Sequence, residues 1–360
     1  MYSIVKECPK SQEAGKIVAR HLVKDYILKE KRGLFVRKQK RVIHAVRDIS
    51  LQIPQGKITG VLGINGAGKT TTIRMLASVI APTSGSMTMN GVDAVKNHLW
   101  VKERINMISG GERNLYWRLT ARENLRYFGS LYGLSGTELS EKITYLLKIV
   151  GLEDAADIPV ERYSKGMKQR LQIARGLIND PEYLFMDEPT LGLDIVIAKE
   201  IRELVWELAK KEKKGILLTT HYIQEAEELC DYIYVLDKGE IIAQGTKEEL
   251  KELFLHKPWL LIQVKPPDNQ NYEDIIRAVK SDQELEKEIE IVTEGAGERI
   301  KVTGETNTWL SVLDLLMKQQ IQVTGLSIQE PELEEVLMKI IGNSSGMQKG
   351  VGNKEKSVSN

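Results

Sequence analysis

The stretch Gly63-Ile-Asn-Gly-Ala-Gly-Lys-Thr70 fits the pattern G-x-x-x-x-G-K-[ST] at every position. Gly63, Gly66 and Gly68, with Asn65 and Ala67 between them, let backbone N–H groups turn inward around a phosphate without Cβ clashes. Lys69 can reach the β- and γ-phosphates. The Thr70 hydroxyl can ligate Mg²⁺, and Thr71 carries the loop into a following helix. The loop therefore points to ATP with Mg²⁺ as its ligands. A second half-site comes from Glu182-Tyr-Leu-Phe-Met-Asp-Glu-Pro-Thr190. Asp187 is placed to hold Mg²⁺ through water, and Glu188 is the natural base for a water attacking the γ-phosphate.

These side chains need elements to aim them. A short strand over Ile58–Leu62 feeds the glycine loop, and a helix with apolar residues at Ile73, Leu76, Ala77 and Ile80 leaves it. That helix turns its N-terminal amides and positive dipole end toward the phosphates. Tyr183–Met186 reads as a buried strand, and Asp187 emerges at its carboxyl end, where ligands bind in open α/β sheets. Ile216–Thr220 reads as another strand, with His221 just after it.

The ordered set resembles the nucleotide-binding domain of ABC transporters, over about residues 17 to 250. Tyr163-Ser-Lys-Gly-Met167, followed by Lys-Gln-Arg170, resembles the family's LSGGQ-x-Q-R signature. Ser164, Gly166, Gln169 and Arg170 match it, whereas Tyr163, Lys165 and Met167 depart from it. The resemblance implies that Ser164 and Gly166 grip ATP held by a second nucleotide-binding subunit, in a head-to-tail dimer with two ATP molecules between the copies. A homodimer is expected. Asp194, in Pro189-Thr-Leu-Gly-Leu-Asp194, then matches the D-loop, and His221 the switch histidine.

Ile108-Ser-Gly-Gly-Glu-Arg-Asn114 also looks like a signature, but it falls in the slot of the family's Q-loop. Counting back from Glu123-Asn124, the family's E-N pair, puts the usual Gln at Gly111. Either Glu112 substitutes as an oxygen donor toward the metal, or the loop serves coupling through its flexibility. The continuation through Leu125 suits a surface that receives a helix from a membrane subunit. A helical-subdomain core would instead share Leu115, Trp117 and Leu119.

Tyr26 is placed to stack on adenine. The stretch Lys29–Arg41 is longer than the family's turn here, with seven Lys/Arg and one Glu. This leaves Phe35 and His44 as alternatives for the stacking role. The basic run is either a solvated loop or a contact for anionic headgroups.

Composition bounds the rest. Hydrophobic residues are 42%, charged residues 28%, and formal net charge is +1, so the chain carries no overall field for nucleic acid, and none is expected as a partner. The two cysteines, Cys8 and Cys230, lie too far apart in sequence for a metal-ligand spacing. No apolar run approaches a membrane span, and no secretory signal is expected at the N-terminus.

The expected fold is α/β: a P-loop NTPase with a RecA-like core, an antiparallel β subdomain and a helical subdomain at about 112–170, plus a small C-terminal α+β domain. The expected domains are an N-terminal tail (1–16), the ATPase domain (17–255), the C-terminal domain (256–342) and a disordered tail (343–360). Within the C-terminal domain, Trp259–Lys265, Glu298–Gly304 and Val323–Pro331 read as strands; Tyr272–Ser281 and Thr308–Gln320 read as helices.

The resemblance extends to exporter ATPases that pair with ABC-2 type membrane permeases. It implies an ATPase peripheral on the cytoplasmic face of the cell membrane that powers export through a separate permease. The alternatives are a soluble ABC ATPase acting on ribosomes or nucleic acid, and a small-molecule kinase. The first is disfavoured by a single domain without sustained heptads, the second by Ser164–Arg170.

Overall fold

A computed structural model describes residues 13–30, 39–109, 114–252, 259–265, 289–294, 297–303, 306–318 and 321–329. The chain divides into two compact units, Met1–Lys247 and Glu248–Asn360. Among the described residues no helix is long and apolar enough to cross a membrane.

The first unit opens with a long antiparallel pair, β1 (Lys16–Glu30) and β2 (Gln39–Pro54). Then come β3 (Ile58–Leu62), α1 (Lys69–Leu76), β4 (Ser84–Met89), β5 (Val92–Asp93), α2 (His98–Arg104) and β6 (Ile105–Ser109). Three helices follow: α3 (Ala121–Leu131), α4 (Gly136–Ile149) and α5 (Lys165–Gly176). The unit continues with β7 (Tyr183–Asp187), α6 (Ile195–Lys210), β8 (Gly215–Thr220), α7 (Ile223–Leu229), β9 (Tyr232–Asp237), β10 (Glu240–Gly245) and, spanning the division, α8 (Lys247–Glu252). Ten strands form one sheet in the order β5-β4-β1-β2-β10-β9-β3-β8-β7-β6.

The half from β9 to β6 is parallel and carries the chemistry. Its strands β3 and β8 are buried along their whole length, which explains their continuous apolar or β-branched sequences. The half from β5 to β2 is antiparallel. This is the expected P-loop NTPase core with an antiparallel β subdomain, and α3, α4 and α5 form the helical part. An apolar core that includes Ile49, Leu76, Tyr183, Phe185 and Leu217 binds the two halves of the sheet through α1.

Several sequence expectations change. The helix after the glycine loop stops at Leu76 rather than reaching Ile80. Ala77 caps it, and Ser78 takes a left-handed conformation at φ 51°. Strands β4, β5 and β6 were not anticipated. Lys238 (φ 47°) and Gly239 (φ 84°) make the tight turn between β9 and β10 that the sequence suggested.

The second unit contains β11 (Trp259–Lys265), β12 (Ile289–Glu294), β13 (Gly297–Val302), α9 (Thr306–Lys318) and β14 (Gln322–Gln329). Its antiparallel sheet runs β12-β13-β11-β14. That order is the one of a ferredoxin-like β-α-β-β-α-β unit. Strand β12 was not anticipated from the sequence either. The expected helix at 272–281, the tail at 343–360 and the first 12 residues lie outside the described residues.

Candidate active site

Strands β3, β7 and β8 end side by side. In their parallel register Leu62 sits opposite Thr220, and Asp187 opposite Thr219. The glycine loop, the two acids and His221 therefore converge at the carboxyl edge of one sheet. The loop is tightly built. A Cβ on Gly63 would meet the Leu236 carbonyl at 2.5 Å. Gly68 has φ 104°, and a Cβ there would meet the Ala45 carbonyl at 2.7 Å. The β9–β10 turn braces the loop from below, since Gly239 N–H donates to Ala67 O at 2.9 Å. Ala67 is buried, Asn65 exposed and Thr71 half-buried.

Lys69 is 4% exposed and donates to the carbonyls of Gly63 (2.6 Å) and Ile64 (3.3 Å). Its ammonium lies 3.8 Å from Glu188. Burial pushes the Lys69 pKa down, while the charges of Glu188 and Asp187 act to raise it. Thr70 Oγ1 donates to Asp187 Oδ1 at 3.3 Å, and Thr219 Oγ1 donates to the same oxygen at 2.6 Å. These hard oxygen donors suit a magnesium ion. Among the described residues no cluster of three His, Cys, Asp or Glu exists to cage a metal alone.

Glu188 has φ 51°, an uncommon value for a residue with a side chain. Its amide is held in that conformation by both Thr219 O and Thr219 Oγ1, each at 3.1 Å. His221 Nδ1 approaches Glu188 Oε1 to 3.2 Å but without hydrogen-bonding alignment. The arrangement brings a cation, a carboxylate and an imidazole together beside the glycine loop.

A second group forms where α5 and α6 begin. Ser164 caps α5, its hydroxyl oxygen accepting from Met167 N–H at 3.2 Å, which leaves the hydroxyl proton to donate elsewhere. Asp194 caps α6 in the same way, accepting from Ile197 N–H at 3.0 Å. Gly166 abuts Ile197, where a Cβ would come within 2.7 Å of the Ile197 Cγ2.

Tyr26 lies on β1 opposite Ile43, with the Lys24 ammonium 5.5 Å from its ring centre. His44, one alternative to it, is tied to Asp25 at 2.7 Å; Phe35, the other, lies outside the described residues. Glu112 and Gly111 also lie outside them. The strand leading to them ends at Ser109, opposite Asp187. Leu115 is buried and Leu119 half-buried, whereas Tyr116 and Trp117 are exposed, so this segment serves core and surface together.

Sequence reasoning missed Thr219, Thr190 and Glu225. Thr190 stands inside the Glu182–Thr190 stretch, and Thr219 and Glu225 lie two and four residues from His221; none has a spacing rule of its own.

The sequence model of the ABC transporter family matches residues 46–191. The ABC transporter ATP-binding protein NatA of Bacillus subtilis (strain 168) is 47% identical over 214 residues, covering 59% of this chain and 87% of that protein. The linearmycin resistance ATP-binding protein LnrL of the same organism is 34% identical over 302 residues, covering 83% and 94%. Among solved structures, the dimeric post-hydrolysis state of the ATP-binding cassette MJ0796, bound to ADP and Pi, has a TM-score of 0.55 at 26% identity, covering 64% of this chain and 98% of that one. The loop, the paired acids and the histidine meet at one sheet edge, and with the family match and these relatives the chain belongs to the ABC transporter family, as an ATP-binding subunit that hydrolyses ATP.

Proposed function

We propose that this subunit powers export through a separate ABC-2 type membrane permease, working at the cytoplasmic face of the membrane as a homodimer with two sandwiched ATP molecules. The names of the relatives support the export reading, since NatA is a transporter subunit and LnrL confers resistance. The dimeric MJ0796 cassette supports the dimer.

In this reading the backbone N–H groups of residues 63–71 bind the phosphates, and Lys69 leaves the Gly63 carbonyl for the β/γ-phosphate oxygens. Glu188 accepts the proton of the attacking water, and His221 orients the γ-phosphate. Thr70 and Asp187 would hold magnesium, which supplies charge neutralisation on the phosphates. Ser164 and Gly166 meet the ATP of the second copy, beside Asp194. Tyr26 stacks on adenine. ATP binds the closed dimer more tightly than the open one, and this difference in affinity is what can move a membrane partner.

The observation that carries the proposal is the placement of Glu188 Oε1 between Lys69 Nζ, at 3.8 Å, and His221 Nδ1, at 3.2 Å. Purification of the tagged full chain from detergent-solubilised host membranes tests the partner. An integral membrane protein of about six spans is expected in the complex. Recovery with ribosomes or nucleic acid, and no membrane protein, would overturn the export reading.

A further inference from the structure

The segment Pro189–Asp194 follows Glu188 directly, and two side chains from distant parts of the chain hold it. Near its start, Thr190 Oγ1 donates to Glu225 Oε1 at 2.7 Å, and both residues are buried. The Thr220 hydroxyl, one residue before His221, lies against the same carboxyl group. In its middle, Lys165 Nζ donates to the Gly192 carbonyl at 2.9 Å. Gly192 has φ 67°, and a Cβ there would collide with the Lys165 ammonium.

Lys165 is a notable choice for this position. It is the first residue of α5, where the helix dipole disfavours a cation, and it is exposed. The Gly192 carbonyl offsets that cost with a charge-assisted bond. Two further contacts fasten the same helices, Gly166 against Ile197 and an ion pair between Arg170 and Glu200.

We infer that Lys165 and Glu225 are positioning residues that clamp Thr190–Asp194 between the His221 strand end and the start of α5. The backbone after Glu188 and the Ser164 loop are then set together. The clamp explains why Lys stands at 165, where the sequence departs from the signature pattern. It rests on the reading of Glu188 as the base. Loosening either end lets Glu188 drift, and a misplacement of about 1 Å can cost on the order of 100-fold in rate.

Steady-state ATPase kinetics of the full chain test this with Lys165→Met, Thr190→Val and the double variant. Each single change is expected to lower kcat by about 10- to 100-fold, with KM for ATP within about twofold. The double variant should be no slower than the slower single one, because a strut released at one end no longer transmits the other. Lys165→Arg should restore most of the rate, which a purely packing role would not require. Lys165 is exposed, so Lys165→Met decides the matter even if Thr190→Val folds poorly. A kcat for Lys165→Met within twofold of the parent, or independent multiplication of the two effects, would overturn the clamp. Lys69→Ala separates the readings: normal hydrolysis in that variant rejects the active site itself. A dead Lys69→Ala beside an unimpaired Lys165→Met rejects only the clamp.

Discussion

Lys69 Nζ lies 3.8 Å from Glu188 Oε1 while donating at 2.6 Å to the carbonyl of Gly63, six residues earlier in its own loop. The loop thus satisfies its buried cation with groups that an arriving phosphate must replace. A phosphate offers charged acceptors where Gly63 offers a neutral one, so the exchange favours nucleotide.

Replacing Lys69 removes that exchange. For Lys69→Met, ATP affinity should fall by about 10- to 100-fold, the equivalent of losing one hydrogen bond to a charged group at about 1.5–3 kcal/mol. Thermal melting with and without ATP checks it. Saturating ATP should raise the melting temperature of the parent, and the same ATP concentration should raise that of the variant clearly less.

Glu188→Gln keeps the shape of the side chain and its strained backbone but removes the proton acceptor. Turnover should drop by roughly 100- to 10,000-fold, the range that general-base catalysis supplies, while ATP binding persists. Size-exclusion chromatography with ATP should then show a dimer that the parent does not accumulate. Hydrolysis at the parent rate would remove Glu188 from the base role.

The buried carboxyl of Glu225 gives a pH signature. Burial pushes its pKa above the ordinary 4.5, against the hydroxyls of Thr220 and Thr190, which act to lower it. Its folded form therefore holds a proton to higher pH than its unfolded form. The stability it contributes is complete below pH 4.5 and is lost as pH rises through the folded value. Glu225→Gln is neutral throughout. It should melt above the parent at pH 8. The gain should shrink toward zero near pH 4. A gain that is flat with pH would mean that the carboxyl is not the cause.

The sequence revealed the parts of the site that are local. Gly63–Thr70 is contiguous in one loop, and Asp187-Glu188 follows a buried strand that brings both acids to it. The clamp on Thr190–Asp194 was hidden for the opposite reason. Lys165 reaches a backbone carbonyl 27 residues away, and Glu225 a hydroxyl 35 residues away. Any residue has a carbonyl, so the sequence carries no sign of the first bond. The C-terminal sheet was legible in β11, β13 and β14, and β12 was missed. The stacking role stayed open between Tyr26, Phe35 and His44 because pairing register, rather than residue type, decides which aromatic faces the loop.

Tyr163 stands where the signature pattern has Leu, and the structure gives that departure a purpose. The ring is buried, and its hydroxyl donates to the Ala155 carbonyl at 2.5 Å, joining the segment before α5 to the turn after α4. Burial pushes its pKa up to about 12, so the donor keeps its proton across the working range. With the folded pKa raised above the ordinary 10.0, the contribution is complete below pH 10.0 and lost as pH rises through about 12. Tyr163→Phe preserves the packing and strands the carbonyl. It should lower stability by about 1–2 kcal/mol, to a similar extent at pH 7 and pH 9. Urea unfolding at the two pH values measures this directly. An unchanged midpoint would show that the hydroxyl is idle, and that Tyr163 fills the Leu position by shape alone.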